Sequence, residues 1–386
     1  MHILVGVLGL VLAVAILIEG FETVVQPRRI ARRYRISRVY YVLFWWLWRW
    51  VADGWCHKPR KRAAFLSTFG PLSLLGIFTT WTIGLIFAFA MLHWGLRDSI
   101  QINAGDGPLG FGTYLYLSGT TFFTLGYGDV TPIHPVGRVL AVAESGLGFG
   151  FLAAILSYLP ALFQAYSRRE VSISLLDARA GSPPTAMQVI LRAARANNIA
   201  ALEPFMGEWE RWAAELLESQ LSFPVLAYYR SQHDNQSWVA ALATILDTCA
   251  VMMTQVRSRS NYQAQVTFAI ARHAAVDLAL VLRAKAPDPN KLVDRLETLE
   301  FAKMRSLLEG AQVELSNSEW AEESLYALRQ MYEPFIQALA TKLLLPLPLH
   351  LTDDSSPDNW QRSAWMKPTP GIGALPVATP NEGHFG

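Results

Sequence analysis

Six consecutive residues, Thr124-Leu125-Gly126-Tyr127-Gly128-Asp129, carry the chemistry around which this chain is organised. A cation that sheds its water shell inside a low-dielectric layer needs oxygens in its place. Consecutive backbone carbonyls supply them if all turn toward one axis, a backbone that ordinary residues resist and glycine tolerates. Gly126 and Gly128 flank Tyr127 as that demands. Thr124 adds a hydroxyl and a carbonyl at the inner end, and Asp129 places an acid at the outer mouth. The spacing therefore predicts a filter for a dehydrated cation, with Thr124, Leu125, Gly126, Tyr127 and Gly128 as its ligands.

A filter needs elements that hold it across a bilayer. The apolar run 69–94 is roughly 39 Å long as a helix, enough for a hydrocarbon core of about 30 Å, and 136–163 is similar. Between them, 114–123 is too short to span and enters the membrane only as a re-entrant helix buried in protein. The order is long helix, short helix, filter, long helix.

Over roughly residues 66–168 the chain resembles the two-helix potassium channels. The residues that carry the resemblance are Thr124-Leu125-Gly126-Tyr127-Gly128-Asp129, with Leu125 where Val or Ile is usual, together with Pro132, the pair Gly137-Arg138 and Gly148. Phe123 departs from the family, where Thr commonly precedes the filter Thr. The resemblance implies an all-α membrane pore that passes K+ as its permeant ion and a homotetramer around one axis. It also implies Gly148 as a gating hinge. The chain shows no internal repeat, so one filter per chain and four subunits are expected. A less selective cation channel and a non-conducting membrane sensor are the rival readings. The intact Gly-Tyr-Gly argues against the first.

Net charge is only +2 over 386 residues, which does not suggest nucleic acid. Distribution says more, because six arginines lie between Arg28 and Arg38. They follow an apolar run, 3–25, read as a retained transmembrane helix with its N-terminus outside. The arginines sit in the cytoplasm against anionic lipid; a voltage sensor would spread them through an apolar span. Residues 40–50, with Trp45, Trp46, Trp48 and Trp50, are basic on both flanks and read as an interfacial helix. Cys56 and Cys249 are too few for a disulfide framework and face a reducing cytoplasm.

Glu144 stands within the second long apolar run, where an ionisable group is a functional signal. It is expected to brace the filter from behind through Ser118, Thr120 or Thr121, the alternative being a cavity-facing acid that attracts cations. Gly146, Gly148 and Gly150 serve either close packing or bending. The inner helix is read as ending at Arg168-Arg169.

Residues 183–345 read as a helical bundle. Expected starts are Ser182-Pro183, Ser237, Asp288-Pro289 and a capping box of Ser316 with Glu319 that opens a helix to about residue 344. Apolar residues recur at helical spacing, as in Leu292, Leu296, Leu299, Met304, Leu307 and Leu308. In this part no Gly-x-Gly-x-x-Gly follows a strand, and no cyclic-nucleotide roll or EF-hand loop is present. The pairs His273/Asp277 and His233-Asp234 read as surface features, and no enzymatic role or organic cofactor is expected. Trp209, Trp212 and Trp238 are expected in the core. The organisation is 1–27 N-terminal transmembrane helix, 28–65 basic and aromatic interfacial segment, 66–169 pore domain, 170–351 cytoplasmic helical domain and 352–386 tail, disordered on composition.

Overall fold

A computed structural model describes residues 2–24, 36–55, 58–96, 100–103, 110–232, 236–257, 261–285, 287, 295–296, 298–316 and 318–351. Most of Arg28–Arg38, Cys56, His233-Asp234, Asp288-Pro289 and 352–386 lie outside them. The described chain is helical throughout, apart from one short strand pair and an isolated bridge. Two compact units, Met1–Gln164 and Ala165–Gly386, divide within one long helix.

In the first unit, α1 (His2–Val24), α2 (Ile36–Trp55), α3 (Pro59–Ser67) and α4 (Phe69–Gly95) precede β1 (Ile100–Ile102), α5 (Phe111–Phe122) and β2 (Val130–Pro132). Helix α1 runs antiparallel to α4: the His2 ring meets Trp94 edge-on at 5.6 Å, while at the other end Ile16 covers Gly84. The backbones approach so closely that a Cβ on Gly95 would come within 2.6 Å of the Gly6 Cα. Small residues give this packing where lipid tails leave no hydrophobic drive between helices.

Glu19, an acid inside the apolar α1, has a structural explanation. Its carboxylate accepts from the Ile36 and Ser37 amides, at 3.1 and 3.0 Å, and from the Ser37 hydroxyl. It thereby caps the first turn of α2, where the N–H groups lack partners. Helix α2 extends beyond the stretch expected from its tryptophans, covering 20 residues. One face packs Phe44, Trp45 and Trp48 onto Phe65 and Phe69. The other exposes Val39, Val42, Leu43, Trp46, Leu47 and Trp50 at helical spacing.

Helix α6 (Pro135–Ala180) is 46 residues long and contains Pro160. It does not stop at Arg168-Arg169. Arg169 is buried instead, donating to the carbonyls of Leu226 and Tyr229 at 2.8 and 2.7 Å, and the helix continues for eleven residues.

The second unit adds α7 (Ala186–Arg195), α8 (Leu202–Ser222), α9 (Trp238–Thr254), α10 (Tyr262–Val281), α11 (Thr298–Gly310), α12 (Ser318–Gln330) and α13 (Glu333–Leu343). Helix α9 is its buried centre. Trp209, Trp212 and Trp238 lie in one core with Ile173 and Leu176 of α6. Ser237 caps α9 as expected, accepting from the Ala240 amide at 3.0 Å. One expected cap falls elsewhere. Thr185, not Ser182, caps α7 through the Gln188 amide. The capping box expected of Ser316 with Glu319 lies partly outside the described residues; the Ser316 hydroxyl donates to the Thr254 and Gln255 carbonyls, pinning the end of α9. The single helix expected up to about residue 344 is two, broken at Met331-Tyr332 ahead of Pro334.

Among the described residues, four helical stretches are long and apolar enough to cross a membrane: His2–Val24, Arg60–Gly95, Pro135–Ala180 and Tyr262–Val281. The last, α10, buries Ala264, Thr267, Phe268, Ala271 and Ala275 against its own unit and carries Arg272, His273 and Asp277, so we read it as a core helix.

Candidate functional site

The stretch 124–128 leaves helix α5 in an alternating backbone. Thr124, Gly126 and Gly128 take positive φ, at 58°, 56° and 79°, and Leu125 and Tyr127 do not. An ordinary strand points successive carbonyls to opposite sides. Alternating left-handed residues turn them to one side, and glycine occupies two of the three left-handed positions without a Cβ penalty. Thr124 bears a penalty of about 1–2 kcal/mol. A position under strain in this way calls for support.

Support comes from three directions. At the inner end, the amides of Thr124 and Leu125 donate to the carbonyls of Thr121 and Thr120, at 3.0 and 2.8 Å. At the outer end, β1 pairs with β2 in antiparallel register, Ile100 opposite Pro132 and Ile102 opposite Val130. Asn103 follows β1: its amide donates to the Asp129 carbonyl at 2.7 Å, and its Nδ2 to the Gly128 carbonyl at 2.9 Å. The Tyr116 hydroxyl donates to Asp129 Oδ2 at 2.8 Å, tying that acid to α5.

The third support lies behind α5. Glu144 is fully buried on α6 and bonds Ser118 of α5. The Ser118 hydroxyl also lies 2.7 Å from the Ile86 carbonyl of α4. His93 of α4, fully buried too, brings Nε2 to 3.5 Å from Glu144 Oε2. Three helices thus meet at one carboxyl group. Of the partners named from sequence, Ser118 reaches Glu144. The Thr120 hydroxyl turns to the Leu117 carbonyl at 3.0 Å, and its own carbonyl receives the Leu125 amide. Gly148 sits against the last turn of α5, where a Cβ would overlap the Phe122 carbonyl oxygen. Gly146 and Gly150 have no such neighbour within the protomer.

Sequence reasoning missed His93, Asn103 and Tyr116. For His93 a signal existed: it is the one ionisable residue in α4. Asn103 and Tyr116 carry no pattern that marks them before the strand pair is known.

The second unit holds a separate buried charged cluster. Arg295 forks between Asp247 of α9, at 2.9 Å, and Glu333 of α13, at 2.7 Å, and also donates to the Pro348 carbonyl. Tyr332 donates to Asp247, and His350 Nε2 lies 3.4 Å from Asp247 Oδ1. Burial alone would raise the Asp247 carboxyl. The charges of Arg295, His350 and Arg329 and the Tyr332 bond overcome it and hold the group below its ordinary value. Burial pulls His350 down to about 4, against the attraction of Asp247. His273 and Asp277 are 3.8 Å apart on α10 with His273 exposed, and among the described residues no group of three or more His, Cys, Asp or Glu is placed to hold a metal.

A family model described as "Ion channel" matches residues 76–165. Protein LctB of Geobacillus stearothermophilus is 34% identical over 94 residues, 22% of this chain and 69% of that protein. Protein LctB of Bacillus caldotenax matches with the same identity and coverage. The chain belongs to the ion channel family. This ion channel is also similar to an uncharacterized membrane protein, YdjJ of Bacillus subtilis (strain 168). That match is 22% identical over 202 residues, 52% of this chain, and it spans 57% of YdjJ. No solved structure matches. The family match begins within α4 and ends within α6, so α1 to α3 and the helices from α7 onward lie outside it.

Proposed function

We propose that this ion channel is a K+-selective pore, a homotetramer whose four Thr124–Gly128 segments surround one axis and conduct passively. The observation that carries the reading is the positive φ at Thr124, Gly126 and Gly128 and at neither residue between them. Four such strands would offer successive rings of carbonyl oxygens to a bare cation, with the Thr124 hydroxyl at the inner end and Asp129 concentrating cations outside. The C-terminal carbonyls of α5, directly before the filter, add a partial negative charge where a cation enters from within. Permeation makes and breaks no covalent bond, so no catalytic residue and no organic cofactor is assigned.

The rest of the reading follows from how the helices must sit. A single protomer exposes Val136, Val139, Val142 and Phe149 of α6, an apolar surface to be covered by neighbouring subunits or lipid. We place the N-terminus of α1 and the C-terminus of α4 outside, which their antiparallel packing permits, and the 170–351 domain in the cytoplasm. The Arg28–Arg38 segment then meets anionic lipid at the inner leaflet, with α2 lying in the interface. Because Arg169 and Trp212 fasten α6 into the helical unit, a rearrangement of that unit acts on the helix that carries Glu144 and Gly148. Gating through this unit, with Gly148 as the flexing point, is part of the proposal.

The test is flux. Full-length protein in K+-loaded liposomes, diluted into Na+ medium, should drive uptake of a lipophilic cation or protons, and the reverse gradient should not. Equal responses to the two gradients would favour a less selective pore. Absence of any response under every stimulus tried, from a correctly assembled tetramer, would favour a non-conducting sensor.

A further inference from the structure

Ser118 carries one hydroxyl proton but has two oxygen neighbours. The Ile86 carbonyl, 2.7 Å away, is an acceptor only. Glu144 Oε1 is also bonded to Ser118. A single proton makes only one linear bond. Both bonds are satisfied together only if the second proton comes from Glu144, as a carboxylic acid donating to Ser118 Oγ while Ser118 donates to Ile86. Burial points the same way. Glu144 and His93 are both fully buried, and a neutral acid there avoids the cost of desolvating a carboxylate.

We propose that Ser118, Glu144 and His93 form a brace that holds one proton behind the filter, with Glu144 as a neutral acid donating to Ser118 and His93 as the positioning residue that seats its other oxygen. The brace joins α4, α5 and α6, two residues before the carbonyls of Thr120 and Thr121 that receive the first filter amides. Its role in keeping the filter conducting rests on the channel reading above, whereas the protonation state does not.

Two kinds of readout separate these. In infrared difference spectra of the full-length protein in liposomes at pH 7, the C=O stretch of a neutral carboxylic acid should be present and should vanish in Glu144→Gln. In His93→Leu it should remain but change frequency. Identical spectra for wild type and Glu144→Gln would overturn the protonated acid, and an unmoved band in His93→Leu would overturn the part given to His93. In K+ flux, Glu144→Gln keeps a donor toward Ser118 and should stay within about twofold of wild type, while Glu144→Ala and Ser118→Ala should lose roughly tenfold, the order expected when a buried partner is left unpaired. Glu144→Gln as impaired as Glu144→Ala would contradict the donor role. Should Glu144→Ala fail to assemble, the spectra and the glutamine variant still decide. A band present in a protein that carries no current would strike the channel reading and leave this inference standing.

Discussion

Replacing Gly148 with alanine tests whether that glycine is there for contact. An added Cβ would overlap the Phe122 carbonyl oxygen and come within 3.0 Å of the Phe122 carbonyl carbon and 3.2 Å of its ring. Overpacking of this kind costs about 1–3 kcal/mol, and the gain from replacing glycine in a helix is about 1 kcal/mol, leaving a net loss of up to roughly 2 kcal/mol per protomer. The strain has a direct route to the filter. Phe122 ends α5, and the carbonyls just before it receive the Thr124 and Leu125 amides. Thermal unfolding of the assembled protein, read by tryptophan fluorescence, should show a lower midpoint for Gly148→Ala than for Gly146→Ala, whose Cβ meets nothing within 4 Å in the protomer. K+ flux should fall together with stability. An unchanged midpoint with only open probability altered would refute the contact argument and leave Gly148 as a pure hinge.

Gly126→Ala places a Cβ at φ 56°, about 1–2 kcal/mol of strain in each protomer, and should abolish current or collapse selectivity in bilayer recordings; full K+ over Na+ preference would contradict it. Asp129→Asn should lower single-channel conductance most at low salt, because a charge at the mouth acts within a Debye length, and an equal effect at every ionic strength would speak against that role. Acid should weaken the helical unit. His350 is held at about 4, so as pH falls below its ordinary value near 6.5 the unfolded chain takes a proton that the folded one refuses, and stability drops over that window by up to about 3 kcal/mol. Asp247, held below its usual value, adds a loss of the same sign at lower pH, once the unfolded carboxylate protonates. His350→Leu should flatten the first of these slopes in denaturation curves of the full protein, and an unaltered slope would refute the assignment.

Sequence alone made the pore legible because its demands are local. Two glycines in alternate positions and two apolar runs of spanning length leave few other meanings, and the short helix between them can be read from length. Single caps were less secure. Ser237 caps α9, but the Ser182 hydroxyl goes to the Asp177 carboxylate while Thr185 caps α7, since a serine before an apolar run bonds whichever acceptor the fold brings near. Arg169 is expected at the end of the inner helix, whereas it is buried within that helix on the carbonyls of Leu226 and Tyr229, 57 and 60 residues on. Glu19 shows the same limit, because the helix it caps starts 17 residues further on. His93 is one further case. Its distance from Glu144 in sequence hides a contact that only the meeting of α4 and α6 creates.

The central claim is that the carbonyls of residues 124–128 hold bare cations in single file. Anomalous scattering from crystals of the full-length tetramer grown in thallium or rubidium, both stand-ins for K+, tests it at the atoms concerned. The account predicts a row of anomalous peaks on the fourfold axis, level with Thr124 to Gly128 and ringed by their backbone oxygens. Peaks confined to Asp129 or to the cavity, or an axis without bound cation at these residues, would contradict it.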